Sequence, residues 1–531
     1  MVVTGAPLAT AVGVHVLEEG GNAIDAAAAI AFALGVVEPS QSGIGGRTQI
    51  LLRRADGRLA AIDGTTEVPT AYLGGPTDDE DAYGWSTIAV PGTVAALAQA
   101  VGEHGTWPLA RVLQPAIALA EDGFTLSAGE ARRIAGARER VLEFEGSRSL
   151  FLRRDGMAYG EGDLFRQPVL ARTLRAIADS GEEVFYRGRI AREMVADIAA
   201  HGGLVTEADV AAYRAVAPII VRGAYRGREL IGTYLPASGA TTIEILQILD
   251  AIEPAASPGS AAWVSHLTQA LLAAFEDREA DVMPAAAKAE WLVSRELARE
   301  RAAQIAARIA VNGPAVSDPA ASNPAVIRPP GTSPSPRNQT RSSNPFDREP
   351  AHTTHVSVAD RDGNVVALTQ SVGPNMGSKV ASPELGFLYA ATMGYLGELE
   401  PDTRRHWSSQ SPLIVLRDGR PEYVIGGAGA RRILSAVVET LARAIAQELP
   451  LDAALAAPRF HPTPARIDAE AREGAAWGED VLGALRAMGH TVNARDDASY
   501  FGRINAIHRA DGLYTGVSDP RWQGVAGAPA R

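Results

Sequence analysis

The chain has 531 residues, 46% of them hydrophobic, which is ample for a large buried core and by length alone suggests roughly two to four domains. Fifty basic residues against 62 acidic ones leave a net charge of −12, a balance that repels phosphate backbones and offers no basic stripe for nucleic acid, so small-molecule chemistry is the better expectation. Cysteine is absent, which excludes disulfides, thiolate catalysis and cysteine metal sites but leaves the compartment open.

The first residues, Met1-Val2-Val3-Thr4-Gly5-Ala6-Pro7, lack a basic region followed by a long apolar run. The sequence as written therefore reads as a cytoplasmic product, and a periplasmic or secreted one if an upstream export signal is missing. Ala23 to Pro39 is the most apolar stretch; it is alanine-rich, contains Asp25 and is shorter than the roughly 20 apolar residues of a membrane span, so a buried helix is predicted. Ile50–Ile62 reads as a β-hairpin turning at Asp56-Gly57, because glycine supplies the positive φ of the turn. Ile243, Ile245, Leu246 and Leu249 mark an amphipathic helix, and Glu296 to Ile309 is rich in strong helix formers.

Residues 311–350 hold nine of the chain's 33 prolines together with Ser, Asn, Gly and Asp, a composition that cannot bury enough apolar surface to offset ordering entropy. An exposed linker is expected there. Beyond it the pattern turns to β: residues 354–360 and 365–371 form a hairpin through Asp362-Gly363, and Leu413–Ile425 another through Asp418-Gly419. Ile433, Val437, Leu441 and Ile445 then recur at helical spacing. Sheets with helical layers make an α+β layered architecture.

Thr353 heads the first strand after the linker. A threonine hydroxyl alone is too weakly acidic to attack an amide and needs an adjacent base; if the chain is cut before Thr353, the freed α-amine, of pKa roughly 7.7–8.0, can serve. The plainer alternative is β-branched material opening a strand. The loop Gly426-Gly427-Ala428-Gly429-Ala430-Arg431-Arg432 joins a strand to a helix and reads either as a helix-entry turn or as a source of backbone donors for an oxyanion. It lacks the spacing and the Gly-Lys-Ser/Thr ending of a phosphate cradle, and Gly43-Ile44-Gly45-Gly46 fails the same test. No Gly-x-Ser-x-Gly elbow is present, no His, Asp or Glu cluster has zinc spacing, and neither a metal nor a cofactor is implied.

Taken in order, Gly20-Gly21-Asn22-Ala23-Ile24-Asp25-Ala26-Ala27, Val90-Pro91-Gly92-Thr93-Val94, Gly105-Thr106-Trp107-Pro108-Leu109, Pro236-Ala237-Ser238-Gly239, Thr353-Thr354-His355-Val356-Ser357-Val358 and Trp407-Ser408-Ser409-Gln410-Ser411-Pro412 resemble the γ-glutamyltransferase family over nearly the whole chain. The resemblance implies an N-terminal-nucleophile hydrolase with a four-layer αββα sandwich, made as one precursor that cuts itself between His352 and Thr353. It divides the chain into a large-subunit body at 1–310, a processing linker at 311–352 and a small subunit at 353–531, the two subunits remaining together as a heterodimer. It makes Thr353 the nucleophile and, through its amine, the base. It puts Ser371 in contact with it, Gly429 and Ala430 at the oxyanion site, and Ser408 and Ser409 on the substrate carboxylate.

Departures fall on substrate recognition. In Ala61-Ile62-Asp63-Gly64-Thr65-Thr66-Glu67, Thr65 stands where the family has an arginine that pairs with the α-carboxylate of a glutamyl group, and a neutral hydroxyl cannot make that bidentate contact. Tyr395 stands near the acidic residue that holds the α-ammonium, and Gly373 replaces an asparagine for which Asn375 is a nearby substitute. Altered acyl specificity is therefore expected, with cephalosporin acylases and oxamate amidohydrolase as comparisons and a catalytically silent binding protein as the alternative of another class. Phe387, Tyr389 and Tyr395 would line a more apolar pocket if they face the site; they are equally readable as core.

Overall fold

A computed structural model describes residues 1–72, 83–253, 255–280, 283–312, 352–393 and 404–530. Tyr395 and nearly all of the expected linker lie outside these residues. Of the span 311–352, residues 311 and 312 complete the helix Arg295–Asn312, and His352 opens the strand His352–Ala359.

Two six-stranded sheets form the centre. The first runs, edge to edge, through Val525–Gly527, Val2–Thr4, His352–Ala359, Val365–Gly373, Arg47–Arg53 and Leu59–Gly64. The second runs through Leu513–Ser518, Arg503–Ala510, Arg420–Ala428, Leu413–Arg417, Arg228–Tyr234 and Ile219–Tyr225. The three hairpins expected at Asp56-Gly57, Asp362-Gly363 and Asp418-Gly419 all form, with Gly57, Gly363 and Gly419 at φ of 90°, 95° and 74°.

The apolar alternation of the strands sets the layers. Leu51, Ile231, Val365, Ala367, Ile414, Val424 and Ile507 meet in a thin core between the sheets. Outside the first sheet lies a larger core built on the helix Ala23–Val37, and outside the second one built on Gly239–Ala251 and Arg432–Ala446. This is the four-layer αββα sandwich.

The helix Ala23–Val37 is buried at every position. Its alanines let neighbours approach closely, and its start is sealed by Asn22, whose Oδ1 accepts the Ile24 and Asp25 N–H groups at 2.9 and 3.0 Å while Asp25 returns a carboxylate to the Asn22 N–H at 2.9 Å.

The segments before and after residues 313–351 interleave. His352–Ala359 pairs with Val2–Thr4, Val365–Gly373 with Arg47–Arg53, and Leu413–Arg417 with Arg228–Tyr234. A cut at residue 352 would thus leave both products hydrogen-bonded into the same two sheets. Across the sheets, the Ser357 hydroxyl lies 3.2 Å from the Val424 carbonyl oxygen and 3.1 Å from that of Asn505, and Asn505 Nδ2 donates to the His355 carbonyl at 2.7 Å. The His355 ring fills the space beside Gly426, where a Cβ would lie 2.3 Å from the imidazole.

Candidate active site

The strand His352–Ala359 is fully buried and central. Its ladder with Val365–Gly373 slips at its start: His352 pairs with Gly373 and Thr354 with Gln370, so the single residue Thr353 faces two, Ser371 and Val372. Such a bulge re-aims side chains and is common beside active sites. Here it brings Thr353 Oγ1 to 3.2 Å from Ser371 Oγ. Ser371 Oγ also donates to the His352 carbonyl at 2.8 Å and accepts the Gly373 N–H at 2.9 Å. A hydroxyl chain therefore ends on the carbonyl of the peptide bond that joins His352 to Thr353.

The surroundings are cationic. His352 is buried and its imidazole is held well below its ordinary pKa, first by burial and then by the charges of Arg503, Arg133, Lys379 and Arg432. Arg503 is itself lowered to about 9 by burial, and its guanidinium lies 3.5 Å from the centre of the Trp522 ring. A counter-charge sits one residue along: Glu38 accepts Thr354 Oγ1 at 3.3 Å and Trp522 Nε1 at 3.2 Å, with Arg133 3.7 Å away, and burial pushes its carboxyl pKa up.

Gly429 and Ala430 leave the strand Arg420–Ala428 with φ of 141° and 50° before the helix Arg432–Ala446 begins. The Gly429 conformation is one that L side chains rarely adopt, and a Cβ there would lie 2.8 Å from the Gly502 Cα. Arg432, three residues on, is among the cations acting on His352, which places this loop beside the start of the strand His352–Ala359.

Ser408 is buried and tightly held: its N–H donates to Pro236 at 2.8 Å, its carbonyl accepts Ser238 Oγ at 2.6 Å and Arg278 Nη2 at 3.1 Å, and its Oγ accepts the Gln410 N–H at 3.1 Å. Gln410 Nε2 in turn donates to the Thr369 carbonyl at 3.0 Å, which ties the segment to the strand that carries Ser371. Ser409 beside it is half-buried. Asn375 uses its Nδ2 on the Arg133 carbonyl at 2.8 Å.

Thr65 is sealed from solvent: its Oγ1 accepts Gln49 Nε2 at 2.8 Å and its carbonyl accepts the Tyr213 hydroxyl at 2.7 Å. Next to it Asp63 and Arg405 form a fully buried ion pair at 2.6 Å. Arg405 lies near enough to Thr65 to look like a substitute for the missing arginine, but its charge is committed to Asp63. Phe387 and Tyr389 belong to the first core, with Phe387 packed against Phe185 and against Tyr389; of their two sequence readings, core is the one the packing supports. Among the described residues no three metal-ligating side chains gather, and no helix is long and apolar enough to cross a membrane.

The family model described as gamma-glutamyltranspeptidase matches residues 9–528. The chain belongs to this family. It is 32% identical to the glutathione hydrolase proenzyme of Escherichia coli, over 97% of this chain and 89% of that one. It is 33% identical to the acylase ACY 1 proenzyme of Pseudomonas sp. strain V22, over 99% and 92%. Its fold superposes on the crystal structure of a cephalosporin acylase from Bacillus halodurans with a TM-score of 0.83 at 27% identity, covering 100% of this chain and 96% of that one. As a gamma-glutamyltranspeptidase-family member the chain is an enzyme of the N-terminal-nucleophile class, acting on amide bonds.

Sequence reading alone passed over Glu38, Arg405 and Arg47. The first two show no motif. The third follows directly on Gly43-Ile44-Gly45-Gly46, glycines tested only as a phosphate loop.

Proposed function

We propose that the protein is a self-processing amidohydrolase or acyltransferase in which Thr353 is first the agent of its own release and then the catalytic nucleophile. The observation that carries this is the chain of hydroxyls from Thr353 through Ser371 to the His352 carbonyl, at 3.2 and 2.8 Å. In the precursor Thr353 Oγ attacks the His352 carbonyl carbon while Ser371 polarises the carbonyl oxygen. The C–N bond breaks, the amine leaves as the new N-terminus, and the resulting ester is opened by water to free the hydroxyl.

In the mature enzyme the amine takes the hydroxyl's proton as Thr353 attacks a substrate amide, and the amine then protonates the departing amine. The acyl-enzyme is released to water or to an acceptor amine. Gly429 and Ala430 supply backbone N–H groups to the tetrahedral oxyanion, and Ser408 and Ser409 hold the far end of the acyl group. The products 1–352 and 353–531 stay together as a heterodimer because they share both sheets. A denaturing gel of purified wild-type protein is expected to give two fragments, the smaller beginning at Thr353 by N-terminal sequencing; a chain that never splits overturns the proposal.

The glutamyl clamp is incomplete at Thr65, whose hydroxyl is taken by Gln49. This favours an acyl donor of the kind cleaved by acylases over glutathione. Mature enzyme is expected to hydrolyse γ-glutamyl-p-nitroanilide poorly and to gain little from glycylglycine, whereas a panel that includes glutaryl and oxamate amides yields a better substrate. Turnover of the γ-glutamyl anilide above every other member of the panel would contradict this.

The pH profile follows from the same surroundings. Thr353 is buried and next to it several cations act on His352; an amine freed at this position meets both burial and like charge, which disfavour an ammonium, so its pKa is expected below the ordinary value. Glu38 opposes this, but as a carboxyl already pushed up by burial. Only the free amine can take the proton, so activity falls as pH drops through that lowered pKa. The acidic limb of kcat/KM is expected to have its midpoint below about 7.7; a midpoint above the ordinary range would show that the cations do not reach the amine.

A further inference from the structure

Arg47 is a buried cation with no partner among the described residues. It opens the strand Arg47–Arg53 directly after Gly43-Ile44-Gly45-Gly46, a turn with no room to shift: a Cβ on Gly45 would lie 2.2 Å from the Leu388 carbonyl oxygen, and the Gly46 carbonyl accepts the Gly92 and Thr93 N–H groups at 2.9 and 3.2 Å. In the ladder with Val365–Gly373, Arg47 stands opposite Ser371. Directly opposed residues of an antiparallel pair project from the same face, with Cβ atoms about 4.5–5.5 Å apart. Ser371 turns its hydroxyl to Thr353, so Arg47 leaves the sheet on the face that holds Thr353.

The residue is 9% exposed. Its Nε is enclosed with no acceptor, and among the described residues its guanidinium makes no hydrogen bond, ion pair or aromatic contact. By contrast Arg405 is paired with Asp63, and Arg133 with Glu130. Burial lowers Arg47 to about 10, and among the described residues no carboxylate raises it. Its charge acts with that of Arg278 on His406, two residues before Ser408, so the guanidinium lies in the neighbourhood of His406. A buried guanidinium without a counter-charge is costly to keep. The natural complement is an anion that arrives with the substrate, and a fork of N–H donors fits a carboxylate bidentately.

We propose that Arg47 is the specificity-determining cation of the acyl pocket, pairing with a carboxylate at the far end of the acyl group while the scissile carbonyl lies at Thr353. The preferred donors are then amides of short dicarboxylic acids. Thr353 and Arg47 lie on strands flanking Val365–Gly373, two strand spacings or about 10 Å apart, a separation that a chain of a few methylenes can bridge. Arg47 thus supplies from a different strand the positive charge that Thr65 lacks. The proposal rests on Thr353 being the nucleophile.

The test compares glutaryl-p-nitroanilide with valeryl-p-nitroanilide, an uncharged acyl group of the same length, on the mature heterodimer. Wild type is expected to prefer the glutaryl amide in kcat/KM, and free glutarate to inhibit where valerate does not. In Arg47→Gln the loss on glutaryl is expected to exceed the loss on valeryl by at least about tenfold, the scale of a charged hydrogen bond, and Arg47→Lys should recover part of the difference. Equal losses on both substrates, or a self-cleaving wild type indifferent to the carboxylate in both turnover and inhibition, would overturn the proposal. A wild type that fails to self-cleave removes the underlying reading and the proposal with it. The glutarate inhibition needs no variant, so a misfolded Arg47→Gln still leaves the question decided.

Discussion

Replacing Thr353 by alanine is expected to leave a single 531-residue band on a denaturing gel and to lower amide hydrolysis by at least about 10³-fold. Both losses have one cause. In the proposed mechanism the hydroxyl that opens the His352 bond is the one that later attacks substrate, and the amine that serves as base exists only after the first reaction. Neither Ser371 nor Thr354 can take over: Ser371 Oγ already bonds the His352 carbonyl from a neighbouring strand, and Thr354 Oγ1 faces Glu38 on the helical side of the sheet. Thr353→Ser keeps the reacting atoms and is expected to cleave itself, more slowly because the γ-methyl that fixes the rotamer is gone. An alanine variant that still splits at this position would show that the cut is made by another protein or another residue.

The Asp63–Arg405 pair carries the largest expected effect on stability. Both side chains are almost wholly enclosed, the pair is 2.6 Å long, and Arg405 also donates to the Asp63 carbonyl at 3.0 Å and to the Arg214 carbonyl. Removing one partner leaves the other charged in a low-dielectric interior, which typically costs about 3–5 kcal/mol. Arg405→Met is therefore expected to lower the denaturant midpoint of the purified protein by that equivalent. Adding Asp63→Asn should return part of it, since the stranded charge is then also removed. Because Asp63 and Arg214 lie before the proposed cut and Arg405 after it, the same variant should also loosen the association of the two fragments in mild denaturant. A midpoint close to wild type would mean that water or a shifted side chain satisfies Asp63.

Much of the architecture was legible in the chain because it depends on local signals. Asp-Gly pairs place the hairpins through a φ that only glycine adopts easily, and the alanine-rich run Ala23–Val37 is buried throughout, as its composition predicts. Thr353 could be proposed from the chain because a proline-rich stretch, a β-run and a glycine loop stand in family order around it. Phe387 and Tyr389 were ambiguous for a physical reason: an aromatic lining a pocket and an aromatic filling a core have the same composition and differ only in what packs on the other side.

The sequence by itself determined the family and the layered fold, because both rest on residue identity and order along the chain, and on the same ground it singled out Thr353 as the proposed nucleophile. Only the tertiary structure decided which charges remain available. Arg405 and Arg47 are alike as letters, yet one is neutralised by Asp63 and the other is buried facing the site with no partner among the described residues, because strand register and long-range packing, 342 residues apart in the first case, determine what each guanidinium meets.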